Sequence, residues 1–336
     1  MHRSAIVVAL LVSIAIVGLG YFVYPRFEAR ASLPGPALVP SLQPVAPRPR
    51  ARRGGMDVTF LVTADTHFGF RVPAEPEVRG IDDVQGIEEQ HVAAIREMNA
   101  IADKTFPKAV GGDRVGRPLG LLVAGDLTDD GKPREWRRFE QFYGLTGSDG
   151  LLRYPVFEGI GNHDKHYGWH VKEHVARRHG ANRYSWDWHD LHLVCLGEGP
   201  DADDLAWLER DLSAVGNEVG IILYFHYPLE GPFSHGHWFG DGDHREALHR
   251  VISGRNVLGI FHGHYHREGT YEWHGFDVFN PGGPKHGGRS FTVVRVEDTR
   301  MTVASFNYAA KAWSWWRQKP IFGSAEKRIV SAAPLD

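Results

Sequence analysis

Five short clusters of aspartate, asparagine and histidine each follow directly on an apolar run with the length and composition of a β-strand. Amphipathic stretches with helical spacing separate most of these runs. Strands that alternate with helices predict an α/β protein built on sheets. Ligands of such sheets gather just beyond the carboxyl ends of the strands. We therefore expect the five clusters to converge in space, although they are spread over roughly two hundred residues.

The clusters carry the side chains that hard and borderline metal ions prefer. In chain order they are Asp65-Thr66-His67, Gly125–Asp129 (GDLTD), Gly161–Asp164 (GNHD), His226 and Gly263–His266 (GHYH). The donors are oxygen and imidazole nitrogen without thiolate, a set that suits Mn, Fe or Zn. In an extended segment, residues i and i+2 point the same way, so Asp65 with His67, and His264 with His266, are predicted to serve one centre.

The order D-x-H, GDxxD, GNHD, H, GHxH resembles that of the calcineurin-like metallophosphoesterase superfamily, from about Val58 to near Tyr308. The resemblance implies a two-sheet β-sandwich flanked by helices, with two divalent metal ions between the strand ends. It implies His163 as the catalytic acid and Asp129 as the residue that orients it. The implied ligands are Asp65, His67, Asp126 and His266 for the first metal, and Asp126, Asn162, His226 and His264 for the second.

The resemblance further implies hydrolysis of a phosphoester by a hydroxide that two metals activate, with His163 protonating the leaving group. Asp130 stands where the similar Ser/Thr protein phosphatases have an arginine, and the GD pair lacks the metal-binding tyrosine of purple acid phosphatases. The pattern is more similar to class III cyclic-nucleotide phosphodiesterases, and it predicts a phosphodiester substrate. Lys285, His286 and Arg289 are candidate contacts for the substrate phosphate, or else solvated loop residues.

Two other functions stay open at this point. One is a phosphomonoesterase or pyrophosphatase that acts on a small or lipid-linked substrate. The other is a metal-stabilised binding domain without turnover. A nucleic-acid partner is not expected, because the formal net charge is -3 and no basic aromatic groove is evident. The sequence does not indicate an oligomeric state.

The N-terminal part of the chain differs from the rest. Residues 1–25 are predicted to be a transmembrane anchor or signal segment, because Ala5–Tyr24 is apolar and long enough to span a bilayer. A cleaved signal peptide is the alternative. Residues 26–55 are predicted to be a Pro/Arg-rich linker, and residues 56–336 to be the metallophosphoesterase domain that the resemblance implies. We thus expect one N-terminal membrane helix and a catalytic domain outside the cytoplasm, although the charges around the segment leave the side open.

The last part of the domain is predicted to be strand-rich. Residues 272–279, 289–296 and 301–308 each have the composition of a strand, and little helical pattern lies between them. The end of the chain is therefore expected to extend a sheet with consecutive antiparallel strands.

Overall fold

Two mixed β-sheets flanked by helices form the protein. The computed structural model describes residues 54–69, 84–230, 233–234, 238–285, 288–321 and 329–330. The strands are β1 (Asp57–Thr63), β2 (Leu121–Ala124), β3 (Val156–Gly159), β4 (Tyr184–Trp188), β5 (Leu191–Cys195), β6 (Gly220–Tyr224), β7 (Val257–Phe261), β8 (Glu268–Trp273), β9 (Phe276–Pro281), β10 (Ser290–Glu297), β11 (Arg300–Asn307), β12 (Ala312–Pro320) and β13 (Ile329–Val330). The α-helices are α1 (Val84–Asn99), α2 (Pro133–Tyr143), α3 (His170–His179), α4 (Ala202–Val215) and α5 (Gly242–Ile252).

Each sheet combines parallel strands with antiparallel ones. The first sheet has the order β13-β12-β11-β10-β1-β2-β3, and the second has the order β4-β5-β6-β7-β9-β8. Strands β1, β2 and β3 are parallel neighbours in the first sheet, as are β5, β6, β7 and β9 in the second. The polar clusters follow β1, β2, β3, β6 and β7, so all five leave the carboxyl ends of parallel strands.

Alternating apolar side chains hold the layers together. On β1, Phe60 and Val62 join the core between the two sheets, whereas Leu61 joins the core that lies under α1, α2 and α3. A third core packs α4 and α5 against the second sheet through residues such as Leu208 and Leu248. A strand that is buried on both faces carries apolar residues at successive positions, which explains the run Phe60–Val62 in β1.

The end of the chain departs from the expected pattern in one respect. The predicted strand over residues 272–279 is wrong, because two strands, β8 and β9, meet there in a tight hairpin. Its turn residues, His274 and Gly275, have φ of 48° and 83°. Two consecutive positive φ values are typical of the tight turn that joins antiparallel strands. A turn that begins with histidine lacks the usual Asn-Gly signal, so the sequence pattern concealed it.

The expected membrane anchor is not supported. No helix within the described ranges is long and apolar enough to cross a membrane. The predicted span at residues 5–24 and nearly all of the predicted linker lie outside the described residues. The expectation of a membrane-anchored protein with an extracytoplasmic domain is corrected accordingly, and the proposed boundaries at residues 25 and 55 stay predictions.

Candidate metal centre

Main-chain hydrogen bonds join the loops that carry the polar clusters. The amides of Asp65 and His67 donate to the carbonyls of Gly125 and Asp126 at 3.0 and 2.9 Å. In the second sheet, the Gly263 amide donates to the His226 carbonyl at 3.0 Å. These hydrogen bonds fix the loops after neighbouring strands to each other.

The first group of converging side chains contains Asp65, His67, Asp126 and His266, whose ligand atoms lie within 4.8 Å of one another. His67 Nε2 is 3.3 Å from Asp126 Oδ2 and 3.3 Å from His266 Nε2. His266 Nε2 is 3.6 Å from Asp65 Oδ1. These four residues are the ones that the resemblance implies for the first metal.

The second group contains Asp126, His226 and His264, again within 4.8 Å of one another. His226 Nε2 lies 3.2 Å from Asp126 Oδ2, 3.1 Å from Asn162 Oδ1 and 3.1 Å from His264 Nδ1. The structure thus also brings together the four residues implied for the second metal, with Asp126 common to both groups.

The position of Asp126 Oδ2 makes it a ligand atom that both groups could use. This oxygen is buried and makes no hydrogen bond among the described residues, yet one imidazole nitrogen from each group faces it. A buried carboxylate oxygen without a donor costs free energy unless a cation satisfies it. The donor set of carboxylate, amide oxygen and imidazole fits divalent Mn, Fe or Zn.

Hydrogen bonds at the far ring nitrogens orient the two imidazoles. His226 Nδ1 donates to the Ala124 carbonyl at 2.9 Å. His67 Nδ1 lies 3.1 Å from Asp129 Oδ1, and an ionised carboxylate can only accept, so the proton is on Nδ1. Both Nε2 atoms therefore point lone pairs at Asp126 and at each group's other ligands. This arrangement is typical of metal-binding histidines.

Burial and charge act against each other in this centre. Burial disfavours a charge on His226, but the carboxylates of Asp126 and Asp65 outweigh it and raise the His226 pKa to about 9. Burial also opposes ionisation of Asp126, but His226 and His67 bring its pKa well below the usual range. For Asp65 burial prevails, and its pKa is raised. In the absence of metal, protons therefore compete for the same lone pairs.

The backbone is left-handed at five of the seven candidate ligands, which corrects the reasoning from extended segments. The left-handed residues are Asp65, His67, Asp126, His264 and His266, with φ of 54°, 43°, 53°, 72° and 59°. The pairs predicted to share a centre do converge, but not through the alternation of an extended strand. Non-glycine residues adopt this conformation at a cost, and such residues concentrate at functional sites.

Two glycines make room for this geometry. A Cβ on Gly161 would lie 2.2 Å from Asp126 Oδ1, and one on Gly125, whose φ is +85°, would lie 2.6 Å from His226 Nδ1. Only glycine allows the backbone to approach the ligands this closely. Glycine is therefore required for steric reasons at the two positions that precede Asp126 and Asn162.

His163 lies beside the centre and is partly open to solvent. Its side chain is 29% exposed, and its ring centroid is 4.6 Å from that of His67. Its amide donates to Asp126 Oδ1 at 2.9 Å, and its Nδ1 to the Asp129 carbonyl at 2.6 Å. Burial lowers its pKa, which Asp126 partly opposes. Within the part of the chain that the structure describes, no hydrogen bond engages the second ring nitrogen, Nε2.

The contacts of Asp129 differ from those implied by the resemblance. The main-chain carbonyl of Asp129, rather than its carboxylate, accepts the hydrogen bond that orients His163. The carboxylate instead lies 3.1 Å from His67 Nδ1 and 3.3 Å from Lys285 Nζ, and its Oδ1 is 3.9 Å from His163 Nδ1. Burial opposes ionisation, but His67 and Lys285 lower the Asp129 pKa to about 2.

The three candidate phosphate contacts have different surroundings. Lys285 is buried, and its ammonium binds the Asp129 carboxylate near His67. Lys285 therefore contacts the carboxylate that lies beside His67, a candidate metal ligand. Arg289 is half-buried with φ of 45°, and its carbonyl accepts from the Tyr308 amide. His286 lies outside the described residues.

Sequence reasoning did not single out Asp164, the last residue of GNHD. Its buried carboxylate accepts from the amides of Gly161, Leu127 and Thr128 at 2.8, 3.2 and 2.9 Å, and from the Thr128 hydroxyl at 2.7 Å. Asp164 thus joins the loop after β3 to the loop after β2. The only signal in the sequence is its place in the motif, because its partners on the other loop, Leu127 and Thr128, lie more than thirty residues away.

Comparison with known proteins agrees with this geometry. A family model described as calcineurin-like phosphoesterase matches residues 58–268. A Plasmodium structure described as GAP50, the anchor in the inner membrane complex, covers 80% of this chain and 90% of its own, with 10% identity and a TM-score of 0.55. A dimetal phosphatase from Danio rerio covers 75% and 96%, with 13% identity and a TM-score of 0.50. At such identities these structures show the fold alone. A search of curated proteins gave no match.

Proposed function

Because the chain belongs to the calcineurin-like phosphoesterase family, we propose that it is a binuclear metal-dependent hydrolase of phosphodiesters. The observation that carries this proposal is the buried Asp126 Oδ2, which lies 3.3 Å from His67 Nε2 and 3.2 Å from His226 Nε2. One carboxylate between two sets of nitrogen and oxygen donors supports two cations that share it. The family implies a hydrolase, and the diester substrate is our own inference.

Two bound cations would supply charge stabilisation and an activated water for in-line displacement. The residues of the chain would hold these ions in position. Asp65, His67 and His266 would hold one ion, Asn162, His226 and His264 the other, and Asp126 both. The left-handed backbone at most of these residues fixes them before substrate arrives, so little reorganisation is needed during the reaction.

His163 would act as the general acid. The hydrogen bond from its Nδ1 to the Asp129 carbonyl fixes the ring and leaves Nε2 for the leaving oxygen. Its partial exposure lets substrate reach it. In this proposal Asp129 is a positioning residue that acts through its carbonyl on His163 and through its carboxylate on His67.

The pairing of nearby lysines supports a diester over a monoester. Three lysines on the loops of the site each bind a carboxylate: Lys285 binds Asp129, Lys132 binds Asp130, and Lys165 binds Glu198. Their charge is thus largely neutralised. A phosphomonoester carries a second negative charge, for which additional cationic contacts would be needed. A diester carries one charge, which two metal ions alone can accommodate.

The proposal is tested by comparing an aryl phosphodiester with the matching monoester. The full chain would be stripped of metal, reloaded with Mn²⁺, and assayed with both substrates at equal concentration. We expect a higher kcat/KM for the diester. A higher value for the monoester would contradict the diester assignment and leave the hydrolase assignment intact.

Replacement of His163 separates a hydrolase from a metal-stabilised binding domain. His163→Ala is expected to lower kcat by about 10²–10⁴-fold, because the leaving oxygen loses its proton donor. Bound Mn²⁺ should stay at the parent level, since His163 is not in either ligand group. His170→Ala, on the same segment, is the control and should keep parent activity. Parent-level kcat in His163→Ala would rule out this residue as the acid.

A further inference from the structure

Another cluster of side chains that could bind a metal ion, separate from the two groups of the candidate metal centre, lies where α5 meets the turn of the β8–β9 hairpin. Glu246 and His249 are one helical turn apart on α5, and His274 is the first residue of the hairpin turn. β8 takes the chain roughly 20 Å from His266, at about 3.3 Å per residue. The group therefore shares neither residues nor position with the catalytic centre.

The three side chains present ligand atoms at the spacing of a metal site. His274 Nε2 lies 3.1 Å from Glu246 Oε1, and His249 Nδ1 lies 3.6 Å from Glu246 Oε2. One ligand atom from each residue lies within 4.8 Å of the other two. Ligands at 2.0–2.1 Å from a tetrahedral zinc are separated by about 3.4 Å, which falls between the two measured distances.

The surroundings position this group and leave it accessible. Leu248 and Ile252 bury the opposite side of α5 in the core, so Glu246 and His249 face outwards towards the hairpin. The rings of His249 and His274 are stacked with centroids 4.2 Å apart. The side chains are 46%, 28% and 38% exposed for Glu246, His249 and His274. An ion can reach them directly from solvent, and water can complete its coordination.

An ion pair alone gives little reason for this arrangement. A solvent-exposed contact between Glu246 and one histidine contributes little to stability. Glu246 is at hydrogen-bond distance from His274 only. The His249 ring stacks on that of His274, and its Nδ1 is 3.6 Å from Glu246 Oε2, too far for a hydrogen bond. Two imidazoles and one carboxylate are a common ligand set of zinc.

We propose that Glu246, His249 and His274 bind a zinc ion that fixes the β8–β9 hairpin to α5. The opposite end of this hairpin is continuous with two parts of the catalytic centre. His266 lies just before β8, and Lys285 follows β9. A zinc ion at the turn would thus steady the strands that carry these residues without touching substrate.

The test counts zinc in four forms of the full chain: the parent, His274→Asn, Glu246→Gln and His189→Asn. His189 is the matched control, because it is an exposed histidine in the β4–β5 turn with φ of 55°, close to the 48° of His274. Asparagine tolerates this conformation, so both replacements change the backbone equally little. Each protein would be stripped, incubated with excess Zn²⁺ and desalted for analysis of zinc per chain. The unfolding temperature of each protein would be measured with and without excess Zn²⁺.

We expect His274→Asn and Glu246→Gln each to hold one zinc fewer than the parent and His189→Asn. Zinc at a hundredfold excess over its Kd should raise the parent's unfolding temperature roughly 5 °C more than that of the two site variants. Because the catalytic ligands are intact in all four proteins, the difference reports the second site alone. Equal zinc content in all four proteins would overturn the proposal, and so would a loss confined to only one of the two site variants.

Discussion

At the level of single residues, the sequence predicted which side chains converge better than it predicted their contacts. All seven implied ligands come together, because motifs at the carboxyl ends of parallel strands must share one edge. The partner of His163, a main-chain carbonyl, could not be predicted, since a carbonyl has no sequence signature. Lys285 is a candidate phosphate contact or a solvated loop residue by its place in the sequence, but it is buried and its ammonium binds Asp129.

Asp164 provides a test at this scale of how the loops are held. Asp164→Asn should lower the free energy of unfolding by about 1–3 kcal/mol, because the new amide group would face a backbone N–H instead of accepting from it. The affinity for Mn²⁺ should also fall, since the displaced loops carry Asp126 and Asn162. Urea denaturation and Mn²⁺ titration measure the two effects.

Asp149→Asn is the matched control for this change. Asp149 also accepts from backbone amides, those of Leu145 and Thr146, but in a loop exposed to solvent. Its replacement should cost less stability and leave Mn²⁺ affinity unchanged. If both variants lost Mn²⁺ affinity equally, Asp164 would have no specific part in forming the centre.

At the level of elements, long periodic segments were predicted well and irregular ones were not. The sequence pattern predicts helices over residues 133–143 and 202–215 and a strand over residues 257–261, and α2, α4 and β7 have these bounds. Strand β4 was missed although Tyr184–Trp188 alternates as a half-buried strand does, because the run is short and holds no β-branched residue. Strand β12 was missed for a related reason: its aromatic residues are interrupted by charged ones, and its partners on β11 are needed to recognise it.

A buried histidine on β5 contacts both β4 and α4 and should make the free energy of unfolding depend on pH. His192 on β5 lies 2.7 Å from Asp187 on β4 and 2.9 Å from Asp211 on α4. Burial opposes its charge, but the two carboxylates raise its pKa to about 8. A raised pKa means that the charged form stabilises the fold, fully below the unfolded pKa of about 6.5 and less and less as the pH passes 8.

His192→Asn should remove this pH dependence. Between pH 6 and pH 9, the parent should lose about 2 kcal/mol more of its free energy of unfolding than the variant does, as the pKa difference requires. Urea denaturation of both Mn²⁺-loaded proteins at the two pH values measures the difference. Parallel losses in the two proteins would show that His192 is not the titrating group.

At the level of the whole molecule, the metal centre connects the two sheets. Asp65, His67, Asp126 and Asn162 follow strands of the first sheet, whereas His226, His264 and His266 follow strands of the second. The two-sheet architecture was predictable from the resemblance. The state of the N-terminal segment was not, since its apolar composition alone does not show whether it forms a membrane helix.

Removal of the metals should therefore lower the stability of the entire fold. Chelation followed by desalting is expected to lower the unfolding temperature by about 5 °C or more, because ions at a hundredfold excess over Kd stabilise the native state by about 2.7 kcal/mol. The experiment is best done in His274→Asn, so that a zinc ion at α5 does not contribute. Re-addition of Mn²⁺ should restore the temperature, and no change on chelation would mean that the ions do not link the sheets.

The left-handed backbone conformation at five candidate ligands has a consequence for the evolution of this chain. Each of the five costs about 1–2 kcal/mol that a glycine at the same place would not. A copy of the gene released from selection on the metal centre would gain stability by replacing them, and drift should remove them first. A lineage in which all five stay non-glycine is then one in which binding at this centre still matters to the organism.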